Sequence, residues 1–71
     1  MKTTFGQRFR AARIAAGFRR TRDISHALDV CDSQVSTWEK DHTMPLAGAI
    51  VRIARTCGVT TDYLLGMEEA S

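Results

Sequence analysis

Several features that would place this chain in a membrane or outside the cell are missing from it. No uninterrupted apolar run approaches the roughly 18 residues that a membrane-spanning helix needs. The N-terminus lacks the basic and then apolar pattern of a secretory signal. We therefore expect a cytoplasmic protein that has no membrane segment.

Cysteine and histidine are scarce, and their spacing fits no metal site. The chain has two cysteines, Cys31 and Cys57, and two histidines, His26 and His42, and it contains no Cys-x-x-Cys pair. Cys57 lies on an apolar helical face and is interpreted as a core residue. We expect no bound metal, and a reducing compartment argues against a disulfide.

The usual signatures of catalysis are also absent. No Ser-His-Asp set or carboxylate pair has a spacing that favours catalysis, and no glycine-rich phosphate loop is present. The sequence therefore predicts that the protein is not an enzyme and has no cofactor and no small-molecule ligand.

Acidic residues are missing from the first 22 positions. Seven of the ten basic residues precede Asp23, although the net charge is only +2. Such a cluster suits an anionic partner, of which a phosphate backbone is the commonest. A solvated helix face would produce the same pattern, so charge alone leaves both interpretations open.

What the sequence does contain is helical periodicity along a chain of 71 residues, enough for one small core. The spacing of apolar residues predicts five helices, over residues 5–16, 22–28, 32–40, 46–57 and 61–65, and no strand. Thr4 is expected to cap the first helix, and Gly17 to end it. The prediction is a compact all-α domain over residues 1–66, followed by a short tail or linker over 67–71.

The second and third predicted helices meet at a four-residue junction, residues 28–31. Ile24 and Leu28 lie on one face of the second helix, and Val35 and Trp38 lie on one face of the third. Thr21 is the expected N-cap of the second helix. Two short helices that cross at a tight turn are typical of proteins that place one helix in the major groove of DNA.

The order and spacing of several short motifs resemble a known family. Phe5-Gly6-Gln7-Arg8-Phe9-Arg10, Trp38-Glu39, Pro45 and Asp62-Tyr63-Leu64-Leu65-Gly66 are similar to the helix-turn-helix domain of the lambdoid repressor and Cro type, also found in xenobiotic-response-element regulators. The resemblance covers residues 5–66. It implies a five-helix, lambda-repressor-like fold that binds a two-fold double-stranded DNA operator as a homodimer, weakly associated without DNA.

The resemblance also implies which residues contact DNA. The residues expected to read base edges are Asp32, Ser33, Gln34 and Thr37. Those expected to contact phosphates are Arg19, Arg20, Thr21, Arg22, Ser36, Lys40, His42 and Thr43. Gln34 suits adenine, and the Thr37 methyl group suits a thymine methyl group.

Asp32 departs most from the family pattern, because it places an anion at the helix tip that faces DNA. Two interpretations stay open. Its carboxylate would accept a hydrogen bond from cytosine N4, or it would stabilise the N-terminus of the helix dipole.

Two further sets of residues follow from the resemblance. Arg13 and Glu39 match a pair that forms an internal salt bridge. Helix five and its flanks match the usual dimer contact, and the residues expected there are Tyr63, Leu64, Leu65 and Met67.

These features predict a transcriptional regulator, a phage or prophage repressor that occupies an operator with the helix over residues 32–40. The chain would be a complete Cro-sized protein or the N-terminal part of a longer repressor. An antitoxin or protein-interaction module with the same fold is the alternative, although residues 67–71 offer little to wrap a partner. A nonspecific nucleoid or RNA binder would be expected to carry more charge than +2.

Overall fold

The computed structural model describes residues 3–67, and it contains five α-helices and no strand in that range. The helices are α1 Phe5–Ala15, α2 Thr21–Leu28, α3 Asp32–Glu39, α4 Ala47–Cys57 and α5 Thr61–Leu65. Each helix end lies within one residue of its predicted position. The all-α, five-helix prediction is confirmed.

Each helix is followed by a residue with a positive φ angle, which reverses the chain. Glycine occupies three of these positions, whereas aspartate occupies the other two, Asp29 at 58° and Asp41 at 61°. Aspartate tolerates this left-handed region better than most residues. After α2 the reversal is closed by the N–H of Val30, which donates to the carbonyl of Ser25 at 3.0 Å.

The helix starts agree with the prediction at α1 but not at α2. The Thr4 hydroxyl accepts a hydrogen bond from the N–H of Gln7 at 3.2 Å, as expected of an N-cap. Thr21, by contrast, is the first helical residue of α2, and Arg20 is the N-cap. The Asp23 carboxylate accepts the N–H of Arg20 at 3.1 Å, so Asp23 satisfies this end of the helix in place of a capping threonine.

All five helices contribute to one core. The rings of Phe9 and Trp38 lie 6.2 Å apart between α1 and α3. Trp38 is 3% exposed, so the face of the third helix that the sequence predicted for Val35 and Trp38 is the buried one. The buried apolar residues are Phe5, Phe9, Ala12, Ile24, Leu28, Val35, Trp38, Ile50, Ile53, Ala54, Cys57 and Leu64.

A glycine allows α1 to cross α3 at close range. A Cβ atom at Gly6 would lie 2.3 Å from the carbonyl oxygen of Glu39 and 2.8 Å from that of Trp38. No side chain fits such a gap, so the backbones of the two helices meet directly at Gly6.

Within residues 3–67, none of the helices combines the length and the apolarity that crossing a membrane requires. Of the predicted tail over residues 67–71, all but Met67 lies outside the described residues.

Candidate nucleic-acid interface

The turn between α2 and α3 is held from both sides. Ser25 of α2 is buried, and Val30 in the turn packs against the core. From α4, the Arg52 guanidinium donates a hydrogen bond to the carbonyl of Leu28, where α2 ends. The angle between α2 and α3 is thus fixed by contacts with the rest of the domain.

Arg13 fixes both ends of this two-helix unit. Its guanidinium donates to the carbonyls of Phe18 and Arg19, each at 2.8 Å, and to the carboxylate of Glu39. Arg13 is 4% exposed. The Arg13–Glu39 pair that the resemblance implies is therefore formed, and it connects the approach to α2 with the last residue of α3.

The outer face of α3 carries polar side chains at the surface. Ser33 and Gln34 are exposed, and Thr37 is half-buried. The Thr37 hydroxyl donates to the carbonyl of Ser33 at 2.8 Å, so its hydrogen-bond donor is already used within the helix. These three residues line one shallow groove together with Cys31 and Thr43.

Asp32 lies apart from this groove. It is exposed at the start of α3, and its carboxylate accepts a hydrogen bond from the Ser25 hydroxyl. It lines a second open groove, whose other residues are Phe18, Arg22, Asp23 and His26. The four residues expected to read bases are therefore divided, with Asp32 on the α2 side.

The residues expected to contact phosphates lie at two places. Arg19, Arg20 and Arg22 are exposed at or before the first turn of α2, and the Arg20 side chain is 74% exposed with Nε 3.8 Å from Asp23. Lys40, His42 and Thr43 are exposed after α3. Thr21 and Ser36 are half-buried, which limits their reach.

The loop after α3 is anchored to the start of α1. The Asp41 carboxylate accepts the N–H of Gly6 at 2.9 Å. Hydrogen bonds from the Thr4 side chain and from this N–H lower the pKa of Asp41, because they stabilise its charged form. The loop that carries His42 and Thr43 therefore starts from a fixed point.

One residue expected at the dimer contact is placed elsewhere. Leu64 is fully buried in the core, so it is unavailable to a partner and the prediction for it is wrong. Tyr63 is half-buried, with the Arg8 guanidinium 5.3 Å from its ring centroid. Leu65 and Met67 are exposed as expected.

The exposed apolar surface extends instead onto α4. Leu46, just before α4, is 84% exposed, and Val51 is also exposed. An apolar groove between α4 and α5 is lined by Ala47, Ile50, Val51, Thr61 and Leu65.

Three residues of the site were not assigned to it from the sequence. Ser25 holds Asp32, Asp41 anchors the loop, and Cys31 lines the groove of α3. The contacts of Ser25 and Asp41 depend on how the helices cross. No local sequence pattern indicates this crossing geometry. Elsewhere in the described residues, no group of three or more His, Cys, Asp or Glu side chains comes together as a metal site.

The pair of helices α2 and α3 also matches a known protein family. A family model described as helix-turn-helix matches residues 9–64, which include all of α2 and α3. The chain belongs to the helix-turn-helix family of the Cro and repressor type. In such helix-turn-helix proteins the second helix of the unit lies in the major groove, and here that helix is α3.

One relative is the HTH-type transcriptional regulator ImmR of Bacillus subtilis (strain 168). It is 29% identical over 68 residues, which make up 96% of this chain and 53% of that protein. The chain therefore spans about half the length of this relative. The helix-turn-helix domain accounts for nearly all of the chain's described structure.

Proposed function

We propose that this chain is a sequence-specific regulator of transcription that binds double-stranded DNA. The observation that carries the proposal is the polar outer face of α3, held rigidly by Arg13, Glu39 and the core, in a chain of the helix-turn-helix family. The name of its relative, a transcriptional regulator, supports the same function.

In this proposal α3 enters the major groove with Ser33, Gln34 and Thr37 facing the bases. Gln34 is exposed and long enough to bond adenine N6 and N7 together. The Thr37 hydroxyl is bonded to its own helix, so its methyl group is the part left to contact a thymine methyl group.

Phosphates on either side of the groove are held by the two exposed cationic regions. Arg19, Arg20 and Arg22 surround the start of α2, where backbone N–H groups of the first helical turn also favour an anion. Lys40 and His42, with Thr43, follow α3. Thr21 and Ser36 add shorter contacts. These groups give affinity and register rather than sequence preference.

Two copies would bind the two halves of a symmetric operator, about one helical turn apart, and would associate weakly without DNA. The proposed contact between the two copies uses Leu65, Met67 and the half-buried Tyr63. We extend it to Leu46 and Val51 because these side chains are exposed.

An operator that overlaps a promoter would make the protein a repressor, as in a phage or prophage. The function requires no catalysis, cofactor or metal, and it operates on DNA in the bacterial cytoplasm.

The test is selection of bound sequences from a random duplex pool at two salt concentrations. The proposal predicts a two-fold symmetric motif whose affinity falls with salt but whose sequence stays the same. Binding with steep salt dependence and no enriched sequence would contradict it and favour a nonspecific binder. No duplex binding at all would favour the antitoxin alternative.

The proposed dimer contact has its own test. Leu65→Glu should leave the monomer folded and weaken binding to a full operator more than to a half-site, measured by fluorescence anisotropy. Arg55→Gln, at an exposed position of α4, lowers the net charge by one as Leu65→Glu does and serves as the control for charge. Equal losses on both duplexes would place the dimer contact elsewhere.

A further inference from the structure

The tip of α3 carries a charged group whose position is set by a buried hydroxyl. Ser25 is 2% exposed in the middle of α2, and its Oγ lies within hydrogen-bond distance of the Arg22 carbonyl, at 3.0 Å, and of the Asp32 carboxylate. A hydroxyl has one hydrogen, and the ionised acceptor forms the stronger bond. Ser25 therefore donates to Asp32.

This bond leaves the rest of the Asp32 carboxylate without a side-chain partner among the residues that the structure describes. Asp32 is exposed, and among residues 3–67 it forms no ion pair, although Arg22 and His26 line the same groove. The N-cap of α3 is Cys31, which makes no side-chain capping bond, and the Asp32 carboxylate bonds across to α2. The helix dipole alone does not account for this arrangement.

A carboxylate fixed at the tip of a major-groove helix discriminates among bases. An ionised carboxylate only accepts hydrogen bonds, and cytosine N4 offers a donor in the major groove, whereas guanine offers the acceptors O6 and N7. Holding the side chain in place removes rotamer freedom before DNA arrives, so less is lost on binding.

We propose that Ser25 is a positioning residue that fixes Asp32 to read a cytosine at one position of each half-site, and to reject a guanine there. The proposal rests on the proposed function, because it requires α3 to lie in the major groove. It assigns Asp32 a base, and it assigns to Ser25, which does not touch DNA, a role in specificity.

The experiment compares the sequences selected by the wild-type chain and by Asp32→Ala, Asp32→Asn and Ser25→Ala. Asp32→Ala should lower the preference for cytosine over guanine at one position by roughly 5-fold to 100-fold. Asp32→Asn should admit purines there, because an amide also donates. Ser25→Ala should lower the same preference by about 3-fold or more while the remaining positions of the motif are unchanged.

A structural role for Ser25 would affect stability and all positions alike, so the melting temperature of each variant is measured beside its motif. Thr56→Ala removes a hydroxyl from a half-buried position of α4 and is the matched control, with an unchanged motif expected. Ser25→Ala that weakens every position equally, or leaves the cytosine preference intact, would overturn the positioning role.

The outcomes also distinguish failure of the role assigned to Ser25 and Asp32 from failure of the proposed DNA-binding function. A symmetric motif that Asp32→Ala leaves unchanged would overturn the reading by Asp32 and keep the operator-binding function. Failure of the wild-type chain to select any sequence would contradict the proposed function itself.

Discussion

The backbone N–H of Gly6 donates a 2.9 Å hydrogen bond to the carboxylate of Asp41, 35 residues further along the chain. This bond joins the first turn of α1 to the residue that reverses the chain after α3. It lies beside the point where the two backbones meet, so the position of α3 depends on α1 as well as on α2.

Replacing Gly6 tests that close approach. Gly6→Ala would place a Cβ atom 2.3 Å from the Glu39 carbonyl oxygen, so α1 and α3 must separate. The expected loss in free energy of unfolding is about 2–3 kcal/mol or more, measured by urea denaturation. Gly48→Ala is the control, because a Cβ there meets nothing within 4 Å and should raise stability by up to about 1 kcal/mol. Equal effects of the two substitutions would refute the close approach.

The hydrogen bonds to Asp41 predict a dependence of stability on pH. The pKa of Asp41 in the folded protein lies below the ordinary 3.8. Its contribution to the free energy of unfolding is therefore fully present above pH 3.8, and it is lost as the pH falls through the lowered pKa. Between about pH 5 and about pH 2, the free energy of unfolding of Asp41→Asn should therefore fall less than that of the wild type.

Asp29→Asn is the matched control for Asp41→Asn. Asp29 has a similar φ angle, and its side chain accepts no hydrogen bond within residues 3–67. This variant should keep the wild-type pH dependence when thermal unfolding is followed by circular dichroism. The same flattening in both variants would show that Asp41 has no special role.

The Arg13–Glu39 pair is expected to serve stability rather than recognition. Glu39→Ala leaves a buried guanidinium without its counter-charge, although its two bonds to carbonyls remain. The expected cost is about 2–4 kcal/mol, with an unchanged selected motif. Glu39→Gln, which retains an acceptor, should cost less. An altered motif with full stability would reverse this assignment.

Gln34 and Arg20 are expected to affect binding in different ways. Gln34→Ala should relax the preference at one base pair per half-site, at a cost of ~1–3 kcal/mol.

Arg20→Ala should weaken binding to all duplexes about equally and should reduce the salt dependence of binding, because it removes a phosphate contact. Competition binding with single-base variants of the selected duplex distinguishes the two. A motif changed by Arg20→Ala would show that this side chain reads bases.

Helical spacing was sufficient to predict most of the fold. α2 and α3 each repeat apolar residues often enough to define one face, and Leu28 and Trp38 on those faces are buried in the core. α5 has only five residues, and so short a helix does not show which of two adjacent leucines is buried. The resemblance assigned both leucines to the dimer contact, although Leu64 is buried and only Leu65 is exposed.

The candidate site was less predictable, because several of its contacts join residues far apart in sequence. The Gly6–Asp41 bond depends on how α1 crosses α3, and the Ser25–Asp32 bond depends on the turn between α2 and α3. Single-residue preferences do not encode either geometry. The resemblance supplied the Arg13–Glu39 pair because that pair belongs to a family pattern, whereas it gave Asp32 only as a base-reading position and did not imply its bond to Ser25.

Sequence selection with a triple variant, Ser33→Ala, Gln34→Ala and Thr37→Ala, tests whether α3 reads DNA with its outer face. None of these side chains belongs to the core, so the variant should melt near the wild-type temperature. It should still bind duplexes in a salt-dependent manner through its cationic residues, but the wild-type motif should be lost except at the cytosine position assigned to Asp32. Recovery of the same symmetric motif by the folded triple variant would contradict base reading by this face of α3.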